Sequence, residues 1–255
     1  MLTPSPSLTV RIATQQADVV AAQRLRYQVF VKELGGDGPM VDHSAGIERD
    51  AFDPSCDHLV LVDPARREGD HVIGSYRLMR GDQAAALGRF YSEDEYDLAP
   101  LRATGRRLLE LGRSCLHVDY RGGAAMYHLW HGLADYVTAH GVEILFGVAS
   151  FHGTDPEALA LPLSYLHHNH LAPPDLRVRA RVHARMDLLP RDRIDRKRAM
   201  IETPALIKAY LRLGGHVGDG AFVDHPFNTT DVCLVMDTAR MNDKQRDLYT
   251  RPRRT

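Results

Sequence analysis

The stretch LLELGRSCLHVDYRGGAAMYHLW, residues 108–130, decides the fold class. Residues 108–118 read as a strand in which Glu110, Arg113 and His117 stand among apolar positions. Arg121, Gly122 and Gly123 break that pattern. From Met126 onward, Leu129, Trp130, Leu133 and Val137 recur at helical spacing and give one apolar face. A strand, a glycine turn and a helix follow one another. A helix entered through such a turn offers unpaired N–H groups and a positive dipole end, and glycine lets a phosphate approach them closely. The turn is therefore a candidate anion site, with an ordinary strand-to-helix connection as the plain alternative.

Outward from this centre the chain alternates strand and helix patterns. Residues 8–13 alternate as a first strand, and Asp18 opens a helical pattern to about Lys32. Residues 35–55 carry glycines, prolines and acids without periodicity and read as a long loop of the kind that binds or covers ligands. Strands are expected over 58–62 and 72–79, joined by the turn-like DPARREGD, with a polar loop over 88–97. Residues 143–150 form a compact apolar strand, and Asp155-Pro156 opens a helix to about His168. Alternation through RVRARVHARMDLL, residues 177–189, predicts a strand with a cationic edge, followed by an amphipathic helix over 204–215 and a strand over 232–236. The fold class is mixed α/β.

With 255 residues and 44% apolar composition the chain supports one large domain, here expected as a core over 1–170 and a C-terminal extension over 171–255. A net charge of −1 gives no electrostatic case for nucleic-acid binding. The three cysteines, Cys56, Cys115 and Cys233, are far apart and without metal-ligand spacing, as expected in a reduced compartment. No signal-like segment and no apolar run near membrane-spanning length is present, so a cytoplasmic location is expected.

Charged residues stand where packing does not ask for them. Arg26 shares a helix face with Phe30, as a surface charge or as part of a site. Arg77 falls on a half-apolar strand face with Ile73, Ser75 and Met79, so it needs a carboxylate partner from the protein or the substrate. The long loop and its end hold Asp42, Glu48, Asp50, Asp53 and Asp57, either solvated or receiving a cation. Gly112 suggests a bulge that would bring Glu110 and Arg113 toward one side, and a structural ion pair between them is the simple alternative. His167, His168 and His170 diverge on a helix, and no metal site is expected there. The strongest local charge bias includes Arg177, Arg179, Arg181 and Arg185; it is a solvated face or a docking surface for an acidic protein or anionic lipid, with the basic tail 251–254 as a further membrane contact.

The motif RGGAAM resembles the phosphate loop of the GNAT acyltransferase superfamily, which usually has glycine where Ala124 stands. A wider resemblance runs through RYQVFVKE, AFDPSCDHLVLVD, VIGSYRL, GRFYSEDEYD, LELGRSCLHVDYR, ASFHGTDP, LSYLHH, PALIKAYLRLGG and DHPFNTTDVCLVMD. Together these are similar to the bacterial ornithine N-acyltransferases. The spaced arginines and acids also resemble acyl-homoserine-lactone synthases.

The resemblance implies a GNAT-like central mixed β-sheet flanked by helices. It also implies transfer of a 3-hydroxyacyl group from acyl carrier protein to the α-amine of ornithine, giving lyso-ornithine lipid without a permanently bound cofactor. Arg121, Gly122, Gly123 and Ala124 would hold the donor's phosphopantetheine. Arg26, Phe30, Asp50, Asp53 and Arg77 would form the acceptor site. Glu110 would be the general base, because an ammonium must lose a proton before it attacks, with Arg113 beside it and Tyr165 protonating the departing thiolate. Arg177, Arg179, Arg181 and Arg185 would dock the carrier protein, and peripheral contact with an anionic inner membrane fits a lipid-making enzyme. Three alternatives stay open: a homoserine-lactone-type synthase or other GNAT N-acyltransferase, a carrier-binding module without catalysis, and an O-acyltransferase using His170 and Asp175, whose Asn169-His170 context resembles the NH-x4-D motif of glycerolipid enzymes.

Overall fold

A computed structural model describes residues 8–241; the tail 251–254 lies outside the described residues. The strands, in chain order, are β1 (Thr9–Ile12), β2 (Asp57–Val62), β3 (Val72–Arg80), β4 (Tyr96–Asp97), β5 (Leu108–Leu116), β6 (Ile144–His152), β7 (Arg179–Ala180), β8 (His216–Val217), β9 (Phe222–Asp224) and β10 (Thr229–Asp237). The helices are α1 (Gln16–Arg26), α2 (Gly81–Leu87), α3 (Ala99–Ala103), α4 (Ala125–Ala139), α5 (Ala160–His170), α6 (Arg196–Glu202) and α7 (Ala205–Arg212).

The described residues divide into two compact units: one holds 8–79 and 111–140, the other 80–110 and 141–241. Within the second unit, β10 pairs antiparallel with β6 from Thr229 opposite His152 to Asp237 opposite Ile144.

In the first unit, β1 pairs antiparallel with β2, β2 pairs antiparallel with β3, and β3 neighbours β5. Apolar residues of α1 and of the turn after it pack over one face of these strands, where Ala21, Ala22, Leu25 and Val29 meet Val60, Val72 and Cys115. Helix α4 lies against β1 and β2. It approaches so closely at Gly132 that a Cβ there would stand 2.6 Å from Val10 Cγ2. The first turn of α1 is anchored by Asp18, which accepts from Arg11 at 2.5 Å and lies 3.0 Å from His71 Nε2.

In the second unit, the start of β5 runs parallel to β6, with Leu108–Glu110 opposite Ile144–Phe146. Antiparallel β10 follows and pairs in turn with β8 and β9. All nine residues of β10 are buried, which suits its near-continuous apolar run VCLVM. The mixed sheet flanked by helices is the architecture the sequence predicts.

Three local expectations change. The helix expected over 18–32 ends as regular α-helix at Arg26 and widens into a π-helical segment, Tyr27–Glu33. Pro156 does not open a helix; it lies in a turn, and α5 begins at Ala160. The alternating 177–189 run forms regular strand only at Arg179–Ala180, which pairs with Tyr96–Asp97, because the remaining residues bond to scattered loop partners.

Candidate active site

The first unit contains a closed ring of six charged side chains. Arg26 donates Nε to Glu48 at 2.5 Å and Nη1 to Asp53 at 2.9 Å. Arg77 Nη1 meets Asp53 at 3.0 Å and Asp50 at 2.5 Å. Arg113 reaches the other oxygen of Asp50 at 2.9 Å and returns to Glu48 at 3.2 Å. Three cations alternate with three anions, so the ring is formally neutral.

Each member arrives from a different part of the unit. Arg26 closes α1 just before the π segment, the three acids come from the long loop and the turn at its end, and Arg77 lies on β3. Arg113 lies on β5 with φ of +50°, the left-handed region. The strand irregularity therefore falls on Arg113 itself, one residue beyond the glycine expected to carry it.

The ring is mostly sealed from water. Arg26 is 0% exposed, while the side chains of Arg113 and Asp50 retain 12% and 19% exposure and form its open edge. Burial opposes ionisation of Glu48, Asp50 and Asp53, but the flanking arginines outweigh it, and all three carboxyls are held below their ordinary range. Burial and Arg113 disfavour the charge on Arg77, yet Asp50 keeps its guanidinium firmly protonated. Gln23 Nε2 donates to Asp53 at 2.8 Å, and His58 Nε2 donates to the Asp53 carbonyl at 3.1 Å. Burial keeps His58 neutral.

This arrangement changes the reading of the acidic loop. Asp50 and Asp53 do not wait as free negative charges for a cation; the protein's own arginines already neutralise them. Arg26 is likewise no surface charge. Phe30 does not join the ring and packs, half-buried, against the apolar face beneath α1. Glu48, not among the residues expected at the site, binds two of the three arginines. Nothing local distinguishes it from other loop acids, since Arg26 lies 22 residues away and Arg113 65.

The glycine turn has the predicted form. Gly122 has φ of +76°, and Ala124 is the N-cap of α4 without a side-chain cap, so the helix opens with backbone donors. Arg121 folds back on its own strand, donating Nε and Nη2 to the Leu116 carbonyl and pairing with Glu33 at 2.8 Å. Its guanidinium thus braces the turn.

Glu110 lies on β5 in the second unit. Its carboxylate accepts from the main-chain N–H groups of Tyr91 at 2.9 Å and Ser92 at 2.6 Å, gripping the start of the 3-10 turn Tyr91–Asp94. Tyr165 is buried on α5, with its ring 5.4 Å from that of His170. Asp175 pairs with Arg240 at 2.6 Å. Arg179, Arg181 and Arg185 are exposed and Arg177 half-buried. Arg177 donates to the Ala172 carbonyl and Arg181 to that of Glu93, each at 2.7 Å, while Arg185 pairs with Asp187.

Residues 25–131 match the acetyltransferase (GNAT) domain, the class to which the mixed sheet and the strand-turn-helix element point. A solved CoA-dependent acyl-homoserine lactone synthase, in complex with SAM and isopentyl-CoA, shares the fold at a TM-score of 0.52 and 13% identity, over 96% of this chain and 88% of that one. The L-ornithine N(alpha)-acyltransferase of Rhodobacter capsulatus is 62% identical over 96% of this chain and 95% of its own length. The protein of the same name from Brucella abortus is 43% identical over 95% and 89%. The chain belongs to the L-ornithine N(alpha)-acyltransferase family.

Proposed function

We propose that the chain transfers a 3-hydroxyacyl group from the phosphopantetheine thioester of acyl carrier protein to the α-amine of ornithine, releasing lyso-ornithine lipid. The observation that carries this reading is its near full-length kinship with enzymes of that name at up to 62% identity. The neutral ring supports it, since Arg26, Asp50, Asp53, Arg77 and Arg113 lie together in one network.

In this reading the ring, neutral as a whole, is a rigid wall of the acceptor site. Asp50, the most exposed of its carboxylates, meets an ammonium of ornithine, and Arg113 beside it meets the carboxylate. Glu110 takes the proton from the α-amine, directly or through a water. The nitrogen attacks the thioester carbonyl, main-chain donors stabilise the oxyanion, and the thiolate leaves with a proton from Tyr165. The turn at Arg121, Gly122, Gly123 and Ala124 receives the phosphopantetheine phosphate.

Arg177, Arg179, Arg181 and Arg185 offer positive charge to an acidic carrier protein. Among the described residues no helix is long and apolar enough to cross a membrane. We place the enzyme in the cytoplasm with peripheral contact to the inner membrane, where its product partitions.

The test is incubation of purified protein with 3-hydroxyacyl carrier protein and a panel of amino acids, following thiol release. Release that depends on ornithine supports the reading. Release that is indifferent to ornithine, or faster with another amine, refutes the acceptor.

A further inference from the structure

Away from the ring, in the second unit, Glu95, Asp224 and Asp231 bring carboxylate oxygens within 4.8 Å of one another. Glu95 and Asp231 are each only 4% exposed, and Asp224 is half-buried. Their positions are fixed by the fold. Glu95 sits between the Tyr91–Asp94 turn and β4, Asp224 ends β9, and Asp231 lies on β10. Tyr96, next to Glu95, donates its hydroxyl to the main-chain carbonyls of Asp231 at 2.9 Å and Gly220 at 3.0 Å, stitching the Glu95 segment to β10.

A second feature points into the same place. Thr229 is 7% exposed, and its Oγ1 is buried with no hydrogen-bond partner. In the β9–β10 register Thr229 stands directly opposite Asp224 and two residues before Asp231. Its side chain therefore leaves β10 on the face shared by both carboxylates. A buried hydroxyl without a partner is costly. A cation bound among these oxygens supplies that partner.

We propose that Glu95, Asp224, Asp231 and Thr229 Oγ1 form a site for a hard divalent cation of calcium's size. The donors are all oxygen, which selects hard cations over soft ones. Three carboxylates and a hydroxyl make an all-protein oxygen site, which suits calcium in its flexible six- to eight-oxygen coordination rather than magnesium, which keeps several waters and takes one or two carboxylates. The cation joins β9, β10 and the segment before β4. Glu95 N–H also donates to the Ser92 carbonyl at 3.1 Å, and Ser92 N–H holds Glu110, so the site steadies the turn that fixes Glu110. Its role is structural, and it stands whether or not the proposed acceptor is correct.

The test uses the full chain treated with chelator and desalted. Terbium luminescence sensitised by tyrosine reports binding, competition with calcium and magnesium reports selectivity, and thermal unfolding at constant ionic strength reports stability. The expected result is saturable terbium luminescence displaced by calcium in preference to magnesium, with a calcium-dependent rise in Tm. Asp231→Asn and the milder Asp224→Asn should each weaken calcium binding by at least about tenfold. Asp224→Asn, half-buried, keeps the comparison available if the buried substitution misfolds. Absence of saturable binding, or binding undiminished in Asp224→Asn, overturns the site. A Tm indifferent to calcium but raised by Asp224→Asn also overturns it, since simple charge repulsion then explains the cluster.

Discussion

Arg113 and Glu48 are joined at 3.2 Å although 65 residues separate them in sequence, and this bond closes the charged ring. Without it the network would be an open chain ending at two half-neutralised groups. With it each carboxylate meets two guanidinium groups and each guanidinium meets two carboxylates. The ring therefore acts as a unit, and removing any member leaves its neighbours buried and uncompensated.

The first prediction concerns stability. Arg77→Met removes the guanidinium that bridges Asp50 and Asp53 and should destabilise the fold by about 3–5 kcal/mol, read as a lower midpoint in urea unfolding. Arg77→Lys should recover only part of the loss, because one ammonium does not reproduce the planar fork.

The same ring sets the response to acid. Glu48, Asp50 and Asp53 ionise below their ordinary range when folded. Their contribution to stability is therefore complete above the unfolded carboxylate range of about 4 and is lost as pH falls through the lower folded values. The urea midpoint should be level between about pH 5 and 7 as far as these groups decide it, then drop below about pH 4. Asp53→Asn should be less stable at neutral pH and show a shallower acid drop. A drop of unchanged steepness would remove Asp53 from the account.

Glu110→Gln tests the base. If Glu110 takes the proton, turnover at pH 7 should fall by about 10²–10⁴-fold with KM for ornithine little changed. Unchanged turnover would leave Glu110 as the acceptor that shapes the Tyr91–Asp94 turn and nothing more.

The glycine turn can be tested through its backbone. Gly122 has φ of +76°, and a β-branched residue there is strained by about 1–2 kcal/mol. Gly122→Val should raise KM for the acyl carrier substrate while leaving KM for ornithine close to its original value. An equal rise in both would mean that the turn supports the fold generally and not the donor.

Much of this was legible in the chain itself, for reasons that differ by element. The strand-turn-helix of residues 108–130 declared itself because period two gives way to period 3.6 across two glycines. Arg77 announced a partner, since an arginine within an apolar strand has no other way to be buried. Glu48 stayed silent because its partners are long-range and an acid in a loop is ordinarily solvated. The alternation of 177–189 misled for a related reason: its pattern reports burial on one side, as at Leu176, Val178 and Ala180, and not the strand pairing that only Arg179 and Ala180 make. Pro156 carried a helix-start signal, but the helix waits until Ala160.

The measurement that bears most directly on the central claim is the position of the new amide bond. Purified protein, 3-hydroxyacyl carrier protein and ornithine labelled with ¹⁵N at the α-nitrogen should yield a lipid-soluble product whose ¹⁵N resonance is that of a secondary amide, with one labelled nitrogen per acyl chain. A labelled nitrogen that remains an amine, with acylation at the side-chain nitrogen or at none, would contradict the account.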